Sequence, residues 1–114
     1  MKVLVTGHEG FIGRNMMSWL HQQGYDPEGW EWNPKERPDI KRYQWVVHLG
    51  AVADMTETDV DLVMSKNYEF SQWLFNECNK HSVHLQYASS SSVYGNTKSF
   101  EESSPCYPQT AYAW

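Results

Sequence analysis

The chain has 114 residues, with Lys+Arg 9 against Asp+Glu 14 for a formal net charge of -5, and 40% of its residues are hydrophobic. That length suits one compact domain burying roughly two-thirds of its unfolded surface, and it leaves no room for a second domain of ordinary size. The acidic balance and scattered basic residues argue against nucleic acid, and no apolar run approaches the roughly 20 residues of a membrane span.

Lys2 to Thr6 (KVLVT) is a continuous apolar run rich in β-branched residues and ending at Gly7, the pattern of a strand buried on both faces. Because Met1, Lys2 and Val3 lead straight into this run instead of a signal peptide, a soluble, cytoplasmic protein is expected. From Phe11 to Gln23, Ile12, Met16 and Leu20 recur at four-residue spacing as one apolar helix face, and Gly24 supplies the stop. In Tyr25 to Asn33 (YDPEGWEWN), Pro27 weakens the first half, so Gly29, Trp30, Glu31 and Trp32 are the expected short strand. The segment from Asn33 to Tyr43 is too polar and too broken by proline for a full helix plus a strand, and predicts an abbreviated connection.

Trp45 to Ala51 (WVVHLGA) is the next strand. Thr56 to Lys80 reads as the long helix, opened by a Thr56–Asp59 variant of the capping box and by acidic residues near its positive end. Its apolar stripe is Val63, Phe70, Leu74 and Cys78. Asn67 falls on that stripe, where a buried amide must find partners or cost about 1–3 kcal/mol. Val83 to Ser89 is a further strand, half exposed because of His84 and Gln86. Strands alternating with helices predict an α/β fold, a parallel Rossmann-like sheet with flanking helices.

The most informative motif is Thr6-Gly7-His8-Glu9-Gly10-Phe11-Ile12-Gly13, three glycines between a predicted strand and a predicted helix. Gly7 permits the sharp turn, Gly10 lets the backbone approach a pyrophosphate, and Gly13 lets helix and strand pack closely. N–H groups at the helix start would hold the phosphates. Glu31 lies 18 residues past Gly13 (31 − 13), close to the roughly 20 at which an acid reaches the adenosine ribose hydroxyls. An acid there repels a 2′-phosphate, which favours NAD over NADP. Asp26 competes for that role but sits poorly beside Pro27, and Arg14 is a cation that would accept NADP.

The loop TGHEGFIG, the strand end HLGA (His48 to Ala51), Asn67, the segment YASSSSVYG (Tyr87 to Gly95) and the closing PQTAYAW together resemble the extended short-chain dehydrogenase/reductase family. That family comprises NAD-dependent nucleotide-sugar epimerases and dehydratases, and the stretch Ala51 to Tyr68 is similar to its ADP-heptose 6-epimerase branch. The resemblance implies that Leu49, Gly50 and Ala51 lie beside the nicotinamide ribose and that Asn67 ties the long helix to that strand's backbone. It also implies that Ser90, four residues before Tyr94, and Tyr112 are catalytic, with Ser89 and Ser91 as the neighbours if the register slips. Without the family pattern, Ser90 reads as a strand-end hydroxyl satisfying backbone.

The family's Lys, four residues after the Tyr, would fall at position 116. Residues 1–114 are therefore expected to be an incomplete NAD-binding domain, ending after the first four or five strands and lacking the substrate lobe. Such a chain is expected to bind dinucleotide weakly and to be inactive alone, with a nucleotide sugar as the substrate of the full-length enzyme. The alternative is a non-catalytic degenerate module acting through protein association. Six Trp, seven Tyr and four Phe at a mean hydropathy of -0.68 suggest exposed rings, with Trp30, Trp32 and Trp114 as candidates for such self-association. Cys78 and Cys106 lack metal or disulfide-framework spacing and are expected as reduced thiols. His81 and His84 read as surface histidines, so no metal site is expected.

Overall fold

The computed structural model describes residues 1–53, 57–96 and 98–114. Its four strands, β1 (Lys2–Thr6), β2 (Asp26–Trp30), β3 (Trp45–His48) and β4 (His84–Tyr87), form one parallel sheet in the order β2-β1-β3-β4. Helix α1 (Phe11–Gln22) connects β1 to β2. A single 3-10 turn, Ile40–Arg42, is the only regular element between β2 and β3, so the abbreviated connection is as expected. A helical run from Val60 to Lys80 joins β3 to β4: α2 (Val60–Val63), a π-helical segment (Met64–Glu69) and α3 (Phe70–Lys80).

Period-2 alternation in β1 divides the core between two layers. Val3 and Val5 point toward α1, where they pack with Leu20 and Val47. Leu4 points the other way, into a cluster of Val46, Ile40, Tyr43, Phe70, Leu74, Cys78 and Val83. The predicted burial of β1 on both faces is what the sheet shows, and the stripe Val63, Phe70, Leu74 and Cys78 is buried as read. Gly24 adopts φ +84 and stops α1, a left-handed conformation that glycine takes without a Cβ penalty. Both cysteines are free, Cys78 buried and Cys106 exposed.

Several boundaries differ for physical reasons. β2 begins at Asp26 and includes Pro27, because Asp26 N–H donates to Met1 O at 3.0 Å and the alternation turns the Pro27 nitrogen outward on an edge strand. β3 stops at His48: the Leu49 N–H is shared between Thr6 O and Thr6 Oγ1, and the Gly50 N–H goes to the Thr6 side chain. The long helix starts at Val60, with Asp59 as its cap: Asp59 Oδ1 accepts from Leu62 N–H at 3.1 Å. Thr56, the expected opening residue, lies outside the described residues. Ile12, expected on the buried face of α1, is 61% exposed, because the first turn of α1 projects beyond the end of the sheet. Gly13 and Leu20 are the buried residues of that helix.

Trp30 and Trp32 are not exposed rings. Both pack against the α3-side core, Trp30 stacking on Phe70 with centroids 4.9 Å apart. Trp114, at 78% exposure, does face solvent, as do Trp19, Phe75 and Tyr87. No helix among the described residues is long and apolar enough to cross a membrane.

Candidate functional site

In an open parallel sheet the ligand crevice lies at the carboxyl ends of the strands where successive connections diverge, because no helix fills the gap there. Here that point is between β1 and β3, since β2 lies on one side of β1 and β3 and β4 on the other.

The glycine loop leaves β1 at this point. Gly7 N–H donates to Trp30 O at 3.0 Å, and at φ +70 a Cβ on Gly7 would lie 2.7 Å from Gly50 Cα and N. A side chain there would drive β1 and β3 apart. A Cβ on Gly13 would overlap Gly7 O and His8 Cα, so close helix–strand packing demands glycine. Gly10 caps α1, and a Cβ on it would meet Gly7 O at 3.4 Å and nothing nearer. The space over the helix start is therefore an open cradle, faced by first-turn N–H groups that have no partner within a helix and carry its positive dipole end. Phe11, at 78% exposure, points away from the sheet.

Glu31 follows β2 directly and reaches back to this loop. Its Oε1 accepts from Glu9 N–H at 2.9 Å and lies 3.3 Å from His8 Nδ1. Asp26, the competing acid, sits at the opposite end of β2. The His8 ring lies flat against Gly29, where a Cβ would collide with the imidazole. His8 Nδ1 is buried without a hydrogen-bond partner among the described residues.

On the β3 side a cleft of about 400 Å³ is lined by Ile12, Leu49, Gly50, Ala51, Asn67, Ser90 and Tyr112, among others. The structure thus brings seven of the residues singled out in the sequence to one cavity. Asn67 is satisfied in both directions by one residue just past β3: its amide donates to Val52 O at 3.0 Å, and its Oδ1 accepts from Val52 N–H at 2.7 Å. The π-helical segment centred near Asn67 is a device often found where a helix serves a site. Ser90 Oγ accepts from Ser92 N–H at 3.2 Å and lies 2.8 Å from Ser92 Oγ, so it also serves as a cap for the turn Ser91–Tyr94.

Beneath the cleft runs a relay that sequence reasoning missed. Thr6 Oγ1 accepts from Leu49 N–H (3.1 Å) and Gly50 N–H (3.2 Å), which leaves its own proton for His48 Nδ1 at 2.6 Å. Nδ1 is then the acceptor, and Nε2 carries the proton toward Ser71 Oγ at 2.8 Å. Burial pushes the His48 pKa down to about 4, in keeping with a neutral imidazole. The signal available in the sequence was a threonine closing a buried strand immediately before Gly7. Away from the site, His81 lies 3.3 Å from Glu77 one helical turn back, and the His84 ring sits 4.9 Å from Trp45.

A model of the NAD dependent epimerase/dehydratase family matches residues 35–114. The ADP-L-glycero-D-manno-heptose-6-epimerase of Cupriavidus pinatubonensis is 32% identical over 128 residues, covering 90% of this chain and 39% of the relative. Among solved structures, the Helicobacter pylori ADP-L-glycero-D-manno-heptose-6-epimerase superposes with a TM-score of 0.86 at 22% identity, over 98% of this chain and 46% of that one. A short-chain dehydrogenase/reductase superfamily protein from Agrobacterium tumefaciens, solved with bound NAD, gives a TM-score of 0.85 at 23% identity, over 99% of this chain and 41% of that one. The family match begins past the glycine loop, whereas both superpositions span nearly the whole chain. The chain spans about two-fifths of the length of the curated relative.

Proposed function

This chain belongs to the NAD dependent epimerase/dehydratase family, and from that membership and the geometry of the loop we propose that it is the NAD-binding part of a nucleotide-sugar epimerase or dehydratase. The observation that carries the reading is the open cradle over Gly10, with Glu31 fixed beside it. Gly7, His8, Glu9, Gly10, Phe11, Ile12 and Gly13 supply the phosphate-facing loop, and Glu31 the carboxylate for the adenosine ribose hydroxyls. Leu49, Gly50 and Ala51 line the nicotinamide end, with Asn67 holding that backbone in place. The acid at position 31 favours NAD over NADP, since it would face a 2′-phosphate with like charge.

When bound, the nicotinamide would accept a hydride from the sugar and return it. Tyr112 lines the same cleft as Ser90, and the reading gives Tyr112 the proton exchange with a sugar hydroxyl and Ser90 a hydrogen bond to the substrate. A phenol with pKa about 10 needs roughly 4 kcal/mol to ionise at neutral pH, a cost the family offsets with a nearby lysine ammonium. We assign these 114 residues the binding of the dinucleotide. Residues 1–114 would act as one NAD(P)-binding domain, completed by residues that the longer relatives possess.

NADH titrated into the protein should quench tryptophan fluorescence saturably. No saturable change up to millimolar NADH, with the protein folded, would overturn the reading. A second reading, association with another chain, draws on the groove beside α1, where Trp19 is 52% exposed next to Met16 and Trp45. A stable oligomer in sedimentation that is indifferent to NADH would favour it.

A further inference from the structure

We propose that His8 makes the choice between NAD and NADP at the Glu31 subsite depend on pH: protonated, it offsets the Glu31 carboxylate and admits a 2′-phosphate, and neutral, it leaves the acid to exclude one. The inference rests on the reading of Glu31 as the ribose-facing acid and adds a specificity-determining residue to it. Three observations place His8 in this role. Its ring is seated over Gly29, where a side chain on β2 would displace it. Its Nδ1 is buried with no hydrogen-bond partner among the described residues. That nitrogen lies 3.3 Å from the same Glu31 oxygen that Glu9 N–H holds, within ion-pair reach but without the geometry of a hydrogen bond.

An imidazole is the side chain whose ordinary titration falls within the physiological range. Among the described residues no other charged side chain forms an ion pair with Glu31. Glu9 neighbours it in the loop and directs its N–H, not its carboxylate, to Glu31. Arg14 is an exposed cation on α1. Glu28, on β2, is engaged by Lys2 at 3.4 Å and Arg42 at 3.7 Å. A proton on His8 therefore turns a carboxylate standing alone at this subsite into a neutral pair, and the pair is anchored because Glu9 N–H fixes the shared oxygen.

The 2′-phosphate itself gains a proton near pH 6, so acidification favours NADPH even without His8, and a variant must separate the two effects. The dissociation constants of NADH and NADPH are measured by tryptophan quenching at pH 8 and pH 5.5, for the wild-type chain and His8→Gln. At pH 5.5 His48, with its pKa at about 4, stays neutral, so the relay under the cleft is undisturbed. On acidification the NADPH-over-NADH preference should rise further in the wild type than in His8→Gln, by about two- to five-fold, the worth of a part-exposed ion pair. Equal shifts in the two proteins, with NADH bound by both, overturn the role of His8 and leave the Glu31 reading standing. Failure of NADH to bind at both pH values overturns both.

Discussion

Acidification tests the relay beneath the cleft. His48 is buried between Thr6 and Ser71, and its pKa falls to about 4 on folding because burial penalises the imidazolium. In the unfolded chain the same group titrates at about 6.5. A depressed histidine leaves stability untouched above pH 6.5, where both states are neutral. Between 6.5 and 4 only the unfolded chain takes up the proton, so stability falls as pH falls. Integrated from pH 7.5 to pH 5, this linkage amounts to about 2 kcal/mol, a large share of the roughly 5–15 kcal/mol that holds an ordinary domain together. Other groups titrate over the same range, so the measurement is a difference. Urea unfolding followed by tryptophan fluorescence at both pH values is compared between the wild type and His48→Gln, whose amide can accept from Thr6 and donate to Ser71 without titrating. The wild type should lose about 2 kcal/mol more than the variant. Equal losses would refute the burial and the neutral tautomer assigned to His48.

Three further substitutions probe the loop and the helix. Gly13→Ala puts a methyl group into Gly7 O and His8 Cα, and should cost about 3 kcal/mol in urea unfolding, the upper end for overpacking because backbone lies on the other side. Asn67→Ala strips the Val52 N–H and C=O of their partners and should cost about 1–3 kcal/mol, with faster amide exchange at Val52. Glu31→Ala should raise the NADH dissociation constant at least about tenfold through lost hydrogen bonds to a charged acceptor, while fluorescence-monitored unfolding shows the fold intact.

Where the cause of a structure was local, the sequence showed it. The turn from β1 into α1 was legible because Gly7 takes a left-handed φ of +70 in its own backbone and Gly13 answers a contact with Gly7 O and His8 Cα, near it in the chain. The crowding of Gly7 by Gly50 comes instead from just past β3, distant in the chain. Asn67 was legible for a different reason: an amide on an apolar stripe must find partners, and the Val52 backbone provides them. Pro27 was misread because whether a proline fits a strand depends on whether a neighbour needs its N–H, and edge position is a property of the sheet. Ile12 has the right period for burial, but period does not tell where the sheet ends. Trp30 and Trp32 looked unpartnered in a polar stretch, yet parallel pairing with β1 carries Trp30 onto Phe70. The seat of His8 on Gly29 joins positions 21 apart (29 − 8), and no spacing rule announces it.

The central claim is that the loop between β1 and α1, with Glu31 and the end of β3, holds a dinucleotide. An NAD titration followed by backbone-amide NMR tests it most directly, because it reports where binding occurs as well as whether it does. Saturable shifts concentrated at Gly7 to Gly13, Glu31 and Leu49 to Ala51 are the predicted result. A folded protein whose amides stay unmoved at millimolar NAD, or move only around Met16 and Trp19 beside α1, would contradict the account.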